Sequence, residues 1–531
     1  MSKKVRFFYH YLSAVLKKQW RRLGFVALIL VSLILVFSFF TPIISRSLST
    51  LASKTAKPIF HEGIVGNPKT FNPLFSRMEA EKEINNLVFS GLTKVAADGG
   101  IVPDLAESIE IKENTQYIFK LKKDILWHDG KKFSADDVVY TISIVQNQLY
   151  DSVAADSFRD VEVKKIDDYT VLFKLKEPFA PFLTTTTLGI IPKHIPLTDY
   201  RPIGTGDFHF IQIQEEKVTL ENNKIRLRFQ FYPKEETAVL ALKLGEVHAV
   251  SLSRESLSEI KDWKNYKVES PILPYRLLTL FYNTKESQLK EKNVRQALTY
   301  AIDKSEIVKS SSGLKGKVAA NSYAFLETLQ TGTKEKYTYN LEKANTLLTS
   351  EGWELKEGKR VKDGKQLSMA ITTLADPEFE ETATKIKSSW EKLGIDVVVT
   401  AVSGSELRDQ IVPNRTYTVL LSTLLLNSDP DQYVIWHTTQ ASEGNVSGIS
   451  SPKLDKLLED ARKTLDKKVR TEKYQEFSKF LLDEAPAVFL YYPSYTWVYS
   501  NRVGNINFSE FHEPVDRFKS AKDWILKRPI I

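Results

Sequence analysis

The chain has 531 residues, a formal net charge of +8 and no cysteine. The absence of cysteine excludes disulfides, thiolate metal sites, a cysteine nucleophile and a lipid-modified cysteine. Seven cationic residues and no acidic residue lie within positions 1–22, so the remaining chain carries only about +1 and its charge does not support nucleic-acid binding.

Positions 23–40 hold an apolar run without a charged residue, directly behind this basic segment. Such a run is long enough to span a bilayer and exceeds the apolar core of a typical cleavable signal. Because flanking cations stay in the cytoplasm, we predict a cytoplasmic segment at 1–22 and a single-pass transmembrane signal-anchor at 23–40 in the cell membrane, with a large extracytoplasmic domain beyond it. Positions 41–57 predict a short tether, where weak small-x-small motifs leave cleavage as the less favoured alternative.

The remainder of the chain is predicted to fold as more than one lobe. Roughly 470 residues follow the tether, which is more than one hydrophobic core usually serves. Alternating apolar and polar residues predict strands at 117–121 and 169–175. Between them, Ser134 and Asp137 resemble a capping box, which predicts the start of a helix.

Helix and strand signals continue to alternate in the second half of the chain. Asn340 predicts one helix start, and Asp376 followed by Pro377 predicts another. A strand is predicted at 395–402, directly after that helix, and positions 452–482 are amphipathic at helical spacing. These patterns together predict a mixed α/β fold.

Motifs of serine hydrolases, zinc proteases and phosphate-binding loops do not occur in the sequence, and the eight His are not at metal-ligand spacing. We therefore expect no catalytic residue, no metal site and no cofactor, and a protein that is not an enzyme. Asp136 and Asp137 could form an acid–base pair, although a helix start is the favoured interpretation. The turn Asp429-Pro430-Asp431 follows an apolar run, and its sequence fits ligand contact and a plain surface turn equally well.

Several short motifs occur along the chain in the order of one known family. They are TFNP at 70–73, LVFSGL at 87–92, VPDLAES at 102–108, WHDGKKFSADDV at 127–138, PIGTG at 202–206, FYNT at 281–284, VRQAL at 294–298, AID at 301–303, DPD at 429–431, WH at 436–437 and APAVFLY at 485–491. With them the chain resembles the extracellular solute-binding proteins of ABC importers, of the dipeptide- and oligopeptide-binding type (bacterial solute-binding protein family 5). Most of these motifs form turns, caps and helix faces, so they indicate the family more firmly than the ligand.

The resemblance implies a two-lobed periplasmic-binding-protein-like fold (type II) whose lobes close over a ligand by a hinge. It implies a discontinuous first lobe at 58–100, 199–272 and 486–531, an extra subdomain at 101–198 and a second lobe at 273–485. Peptide-binding members hold the ligand as an added strand through its backbone. The implied function is that of a monomeric, membrane-tethered receptor that captures peptides and delivers them to the permease subunits of an ABC transporter.

The resemblance also places the ligand cleft at two stretches of this chain. The candidate ligand-binding residues are Ser76, Arg77, Met78, Glu79, Asn427, Asp429, Asp431 and Trp436. If the turn neutralises a cation of the ligand, Asp429→Asn should weaken binding. Trp436 could stack on the ligand or fill the core of the second lobe, and we favour the core.

Leu426 departs from the family pattern. Peptide-binding members often carry an Asp at this position, where it pairs with the α-ammonium of the ligand. A buried ammonium without a counter-charge is unfavourable, so either Asp429, Asp431 or Glu79 takes over, or the ligand is not a free-amino peptide. The alternative function is that of a same-fold receptor for a non-peptide solute such as a nickel chelate or a sugar; a surface hydrolase and a sensory receptor are less favoured.

Overall fold

The computed structural model describes residues 57–260, 262–309, 316–323 and 335–527, together with residues 6–11, 13, 14, 17, 18 and 20. The chain divides into two compact units, Met1–Pro58 and Ile59–Ile531. The predicted membrane span at 23–40 and the predicted tether, apart from Lys57, lie outside the described residues. Within the described residues, no helix combines the length and the apolar character that crossing a membrane requires.

Seven strands form the first large sheet of the unit Ile59–Ile531. Their spatial order is Tyr266–Glu269, Trp497–Ser500, Ala249–Ser251, Ile59–Val65, Arg226–Tyr232, Lys217–Glu221 and His209–Gln214. The strand Ile59–Val65 runs parallel to both of its neighbours. A small apolar cluster with the helices Glu235–Leu244 and Arg254–Ile260 covers one face, and the other face packs into a larger core. The sheet is therefore buried on both sides along its centre.

Six strands form the second large sheet. Their spatial order is Lys317–Val318, Ala487–Tyr492, Arg276–Tyr282, Val419–Leu425, Ser368–Leu374 and Asp396–Val402. Helices cover both faces of this sheet, so side chains on both sides of the central strands are buried and these strands are almost entirely apolar. The helix predicted after Asp376 is confirmed as Pro377–Glu391, and the predicted strand that follows it pairs in parallel with Ser368–Leu374.

A smaller four-stranded sheet belongs to the part of the chain predicted as an extra subdomain. Its spatial order is Ala106–Lys112, Gln116–Leu121, Thr170–Leu175 and Val161–Asp167. Both predicted strands and the helix cap are confirmed, because the N–H of Ser134 donates to the Asp137 carboxylate at 2.9 Å and the helix Ala135–Gln146 begins there. Asp136 pairs with Lys165 and Lys193 at 2.5 and 3.0 Å. Asp136 and Asp137 are therefore residues of the first helical turn, each paired there, as the favoured interpretation predicted.

The remaining elements connect and cover the three sheets. The α-helices are Glu79–Val88, Ala155–Phe158, Phe182–Thr185, Lys292–Tyr300, Lys304–Val308, Leu341–Ser350, Gly404–Glu406, Val412–Asn414, Tyr433–Trp436, Pro452–Lys463 and Lys467–Glu484. The shorter turns of helix are Gln148–Tyr150, Leu197–Asp199, Ser287–Leu289, Leu407–Ile411, Thr438–Gln440, Pro514–Phe518 and Ala521–Asp523. The short strands are Thr93–Val95, Ile101–Pro103, Glu354–Lys356, Lys359–Lys362, Lys365–Gln366, Val503–Gly504 and Ile525–Leu526. The amphipathic region 452–482 forms two helices because Asp466 caps the second one.

The chain crosses between the two large sheets twice, and the two crossings are hydrogen-bonded to each other. The N–H of Leu273 donates to the carbonyl of Pro493, and the N–H of Tyr495 donates to the carbonyl of Pro271, both at 2.8 Å. The strand Ala487–Tyr492 precedes the second crossing and belongs to the six-stranded sheet. We therefore propose a boundary at about residue 493 in place of the one predicted at 485/486. The other lobe boundaries also remain proposals.

Candidate functional site

A cleft of about 820 Å³ lies beside the two crossings. The first crossing contributes Leu273 and Tyr275 to its lining, and the strand Arg276–Tyr282 contributes Arg276. The end of the strand Val419–Leu425 adds Leu425, and the next residue, Leu426, also lines the cleft. The helix Glu79–Val88 and the segment 512–519 also contribute residues to its lining. Its volume lies within the range of small-molecule and cofactor sites.

Charged groups of both signs line this cleft. The acidic residues are Glu79, Glu83, Asp104, Asp207, Glu513 and Asp516, and the basic residues are Lys82, Lys94, Lys122, Arg276, Lys519 and Lys522. Several of these groups neutralise one another, since Lys94 pairs with Asp104 at 3.1 Å and Lys519 with Asp516 at 2.9 Å. The wall therefore offers hydrogen-bonding groups for a polar ligand without a large excess of one charge.

Beneath the cleft, a buried guanidinium lies between two carboxylates. Arg517 Nη1 lies 2.7 Å from Glu83 Oε2, and its Nε lies 3.2 Å from Glu62 Oε1. The indole N–H of Trp497 also donates to Glu62 at 2.9 Å. Burial raises the pKa of Glu62 to about 7, although Arg517 and Trp497 oppose this shift. Arg517 pairs with both Glu62 and Glu83, so it stabilises the charged form of Glu62 less than an arginine paired with Glu62 alone would.

Among the four candidates at 76–79, only Glu79 lines the cleft. The hydroxyl of Ser76 is buried, donates to the carbonyl of Asn72 at 2.7 Å and accepts from the side chain of Asn85. Ser76 is therefore a structural residue of the loop. Glu79 pairs with Arg276 at 2.9 Å, so the helix start is joined to the strand that follows the first crossing.

Arg77 and Met78 do not line the cleft. Arg77 pairs with the exposed Asp151 at 2.7 Å, and Met78 is the residue before the first turn of the helix. Sequence reasoning missed Glu81, whose carboxylate accepts from the backbone N–H groups of Lys69, Thr70, Arg77 and Met78. Burial acts in the opposite direction, but these four donors hold the pKa of Glu81 below its usual range. Glu81 is the third residue of the helix, where a Glu side chain commonly accepts from backbone N–H groups before the helix start, so its position in the sequence could have indicated this role.

The turn after the strand Val419–Leu425 is a chain of side chain-to-backbone hydrogen bonds. The amide oxygen of Asn427 accepts from the N–H of Asp429 at 2.8 Å, and Asp429 accepts from the N–H of Asp431 at 2.9 Å. Asp431 in turn accepts from the N–H of Tyr433 at 3.2 Å. Asn and Asp favour such local turns because their short side chains reach the backbone two residues on.

Both carboxylates of this turn are already paired with arginines. Arg470 donates to Asp429 through two bonds of 2.8 and 2.7 Å, and Arg462 Nε lies 2.9 Å from Asp431 Oδ2. The Asp side chains are only 9% and 11% exposed. Burial raises the pKa of Asp431, and Arg462 partly opposes this shift. The structure thus places no uncompensated acid at the turn, and sequence reasoning missed both arginines because they follow the turn by more than thirty residues.

Trp436 lies in the core of the six-stranded sheet. Its side chain is 1% exposed, packs against Phe281 and Phe489, and donates its indole N–H to the side chain of Gln432 at 2.9 Å. Trp436 therefore lies in the core, the position that the sequence favoured, and a side chain buried to this degree cannot stack on a ligand.

A second, small cavity of about 30 Å³ brings three candidates together. Asn427, Asp429 and Asp431 line it with Tyr323 and other residues of the second sheet. Tyr275, Leu425 and Leu426 line both this cavity and the cleft. Leu426, directly before the turn, therefore lines both the small cavity and the cleft, whereas Glu79 lines only the cleft. Within the described residues, no group of three His, Asp or Glu side chains could hold a metal ion.

Comparison with known proteins gives matches over most of the chain. The model of the bacterial extracellular solute-binding proteins, family 5 Middle, matches residues 100–445. The oligopeptide-binding protein AppA of Bacillus subtilis (strain 168) is 29% identical, over 94% of this chain and 99% of its own length. The structure of AppA from B. subtilis with a nonapeptide is similar with a TM-score of 0.71 at 27% identity, covering 89% of this chain and 100% of that chain. The structure of NikZ from Campylobacter jejuni with Ni(L-His) is similar with a TM-score of 0.73 at 26% identity, covering 88% and 100%.

Proposed function

The chain belongs to the bacterial extracellular solute-binding proteins of family 5, and from this premise we propose that it captures peptides in its interlobe cleft and delivers them to an ABC transporter permease. The observation that carries the proposal is the cleft of about 820 Å³ beside two hydrogen-bonded crossings. Two lobes joined by two short crossings can rotate about them and close over a ligand. The similarity to AppA supports peptides as the ligand class.

The walls of the cleft fit a peptide better than they fit an apolar solute. Lys, Asp, Glu and His side chains surround it together with Ser90, Thr187 and Asn222. A peptide carries one donor and one acceptor at each residue, so a polar wall can bind its backbone directly or through water without reading its sequence.

We also propose that the predicted signal-anchor at 23–40 holds this receptor at the outer face of the cell membrane. The family is extracytoplasmic, and the basic segment at 1–22 sets the orientation of the anchor. A tethered receptor stays near the permease, which raises the local concentration of captured ligand there.

Intact-mass measurement on the full chain, purified in detergent under native conditions and then denatured, tests the ligand. We expect a set of extra masses that fit short peptides and disappear on denaturation. Asn86→Trp, at an exposed helix position in the cleft, should abolish these extra masses. The matched control Lys479→Trp, at an exposed helix position that does not line the cleft, should retain them. Loss of the extra masses in both variants, or retention in both, would contradict the proposed site.

One observation supports a second candidate. The acids of the turn at 427–431 are paired with arginines, so this turn holds no free partner for the ammonium of a peptide. A receptor for a non-peptide solute, such as a metal chelate, would not need that partner, and NikZ with Ni(L-His) is one of the similar structures. A single non-peptide mass in the same experiment would establish this alternative.

A further inference from the structure

The end of the strand Val419–Leu425 presents an apolar wall to the ligand cleft. Leu425 is 70% exposed, and Leu426 is half-buried against the core of the second sheet. The N–H of Leu426 donates to the carbonyl of Tyr275 at 2.8 Å, which fixes the backbone here against the first crossing. Tyr275, Leu425 and Leu426 line both the cleft and the small cavity, so the two spaces adjoin at these side chains.

The small cavity behind this wall contains hydroxyl groups without partners. Ser322 and Tyr323 are 1% and 2% exposed, and neither hydroxyl has a hydrogen-bond partner among the described residues. Both side chains line the cavity. Buried polar groups are nearly always hydrogen-bonded in folded proteins, so these two hydroxyls fit an incoming polar group or ordered water.

The charges around this cavity make it a poor site for a cation. Asp429 and Asp431 are the acidic residues of its described lining, and Arg470 and Arg462 already neutralise them. An ammonium would lose its hydration here and would gain no free carboxylate in return, which is unfavourable. A neutral carbonyl oxygen, by contrast, can accept from the hydroxyls of Ser322 and Tyr323.

We propose that the part of the cleft that adjoins the small cavity is specific for peptides whose amino end is blocked by a small acyl group. The acyl carbonyl oxygen accepts from the hydroxyls of Tyr323 and Ser322, and the acyl hydrogen or methyl group packs against Leu426. The volume of about 30 Å³ holds one or two water-sized groups, so it admits formyl or acetyl and excludes long acyl chains. Leu426 is thus a specificity-determining residue, and this inference rests on the proposed peptide-binding function.

Calorimetry on the ligand-depleted full chain in detergent tests this specificity with three forms of one probe, penta-alanine with a free, a formylated and an acetylated amino end. We expect the two blocked forms to bind at least about tenfold more tightly than the free form, as expected when a buried charge lacks a partner. Equal binding, or tighter binding of the free form, overturns the inference and leaves the proposed function standing. If none of the three forms binds, the proposed function fails together with the inference.

Two variants assign the preference to this wall. Leu426→Asp supplies a carboxylate and should reverse the preference towards the free amino end. Its matched control Val434→Asp, at a position 52% exposed and outside both cavity walls, should leave the preference unchanged. Because Leu426→Asp could impair folding, Tyr323→Phe serves as a second variant and should reduce the preference about threefold by removing one donor. An unchanged preference in Tyr323→Phe would overturn the assigned role of the hydroxyls.

Discussion

At the scale of single residues, two titratable groups at the seven-stranded sheet, the buried Glu62 and the half-buried His248, respond to pH in opposite directions. Nδ1 of His248 accepts from the backbone N–H of His61 at 2.9 Å, so the ring is neutral in the folded state. Burial lowers the pKa of His248 from 6.5 to about 4, and the nearby His61 and Arg502 add to this shift. Burial raises the pKa of Glu62 from 4.5 to about 7.

These shifts predict the pH dependence of stability. Between about pH 4 and 6.5 the unfolded chain binds a proton at His248 that the folded chain does not, so the His248 contribution to stability rises with pH. Between 4.5 and about 7 the folded chain binds a proton at Glu62 that the unfolded chain releases, so the Glu62 contribution falls as pH rises. We expect each contribution to be on the order of 3 kcal/mol.

Thermal unfolding of variants between pH 4 and 8 separates the two contributions. His248→Asn should remove the rising contribution, so its unfolding midpoint should fall relative to the wild type as pH increases to 6.5. Glu62→Gln should remove the falling contribution, so its midpoint should rise relative to the wild type as pH increases to about 7. Parallel pH profiles for the wild type and either variant would contradict the corresponding shift.

Asp429 has a larger effect on stability than a residue of a plain surface turn would have. Its replacement by Asn leaves the guanidinium of Arg470 largely buried without its carboxylate. Breaking a buried pair in this way destabilises a protein by about 3 kcal/mol or more, so Asp429→Asn should lower the unfolding midpoint by several degrees. Asp409→Asn is the matched control, because its pair with Arg408 is exposed and contributes little. Equal midpoints for the two variants would show that the Arg470 pair is not structural.

At the scale of elements, local signals were sufficient to place helix starts. The side chain of Asp376 accepts from the N–H of Glu378 at 3.0 Å, and Pro377 occupies the first position of the helix Pro377–Glu391. The turn at 427–431 is local in the same sense, since each of its bonds spans two residues. Such features depend on neighbours in the sequence, so a sequence pattern can identify them.

Removal of the helix cap should therefore have a measurable but moderate effect. Asp376→Ala should reduce the free energy of unfolding by about 1 kcal/mol, because the first turn loses its acceptor. Thr384→Ala lies at an exposed position of the same helix and should be neutral or slightly stabilising. Denaturant titration of the two variants measures this difference, and a Thr384→Ala loss as large as that of Asp376→Ala would exclude a specific capping effect.

At the scale of the whole molecule, Arg462 of the helix Pro452–Lys463 contacts the segment that follows the four-stranded sheet. The guanidinium of Arg462 lies 4.8 Å from the ring centre of Phe179 and 4.1 Å from that of Tyr433. The N–H of Ala180 also donates to the carbonyl of Arg462 at 2.7 Å, and the next residue, Lys463, pairs with Glu177 at 3.3 Å. Because Arg462 also pairs with Asp431, this contact connects the segment 177–180 to the candidate ligand turn.

Phe179→Ala should weaken that contact and shift the molecule towards an open state. A cation–π contact contributes about 1 kcal/mol, so the equilibrium constant between the closed and open states of the proposed hinge should shift about fivefold towards the open state. We expect a larger radius of gyration in small-angle X-ray scattering without ligand. Leu149→Ala is the matched control, since Leu149 lies in the same part of the chain and is 90% exposed. An unchanged radius for Phe179→Ala would show that the contact does not hold the lobes together.

The sequence by itself determined the family, the α/β class, several strands and helix starts, and the stretches that carry the candidate site. These properties depend on local motifs and on periodicity, and the family match confirms the resemblance. The tertiary structure decided which candidates face the cleft. Ser76 and Trp436 are buried, while Asp429 and Asp431 are paired with Arg470 and Arg462 from two later helices. Such pairings depend on how distant segments pack, and neither spacing nor composition encodes them.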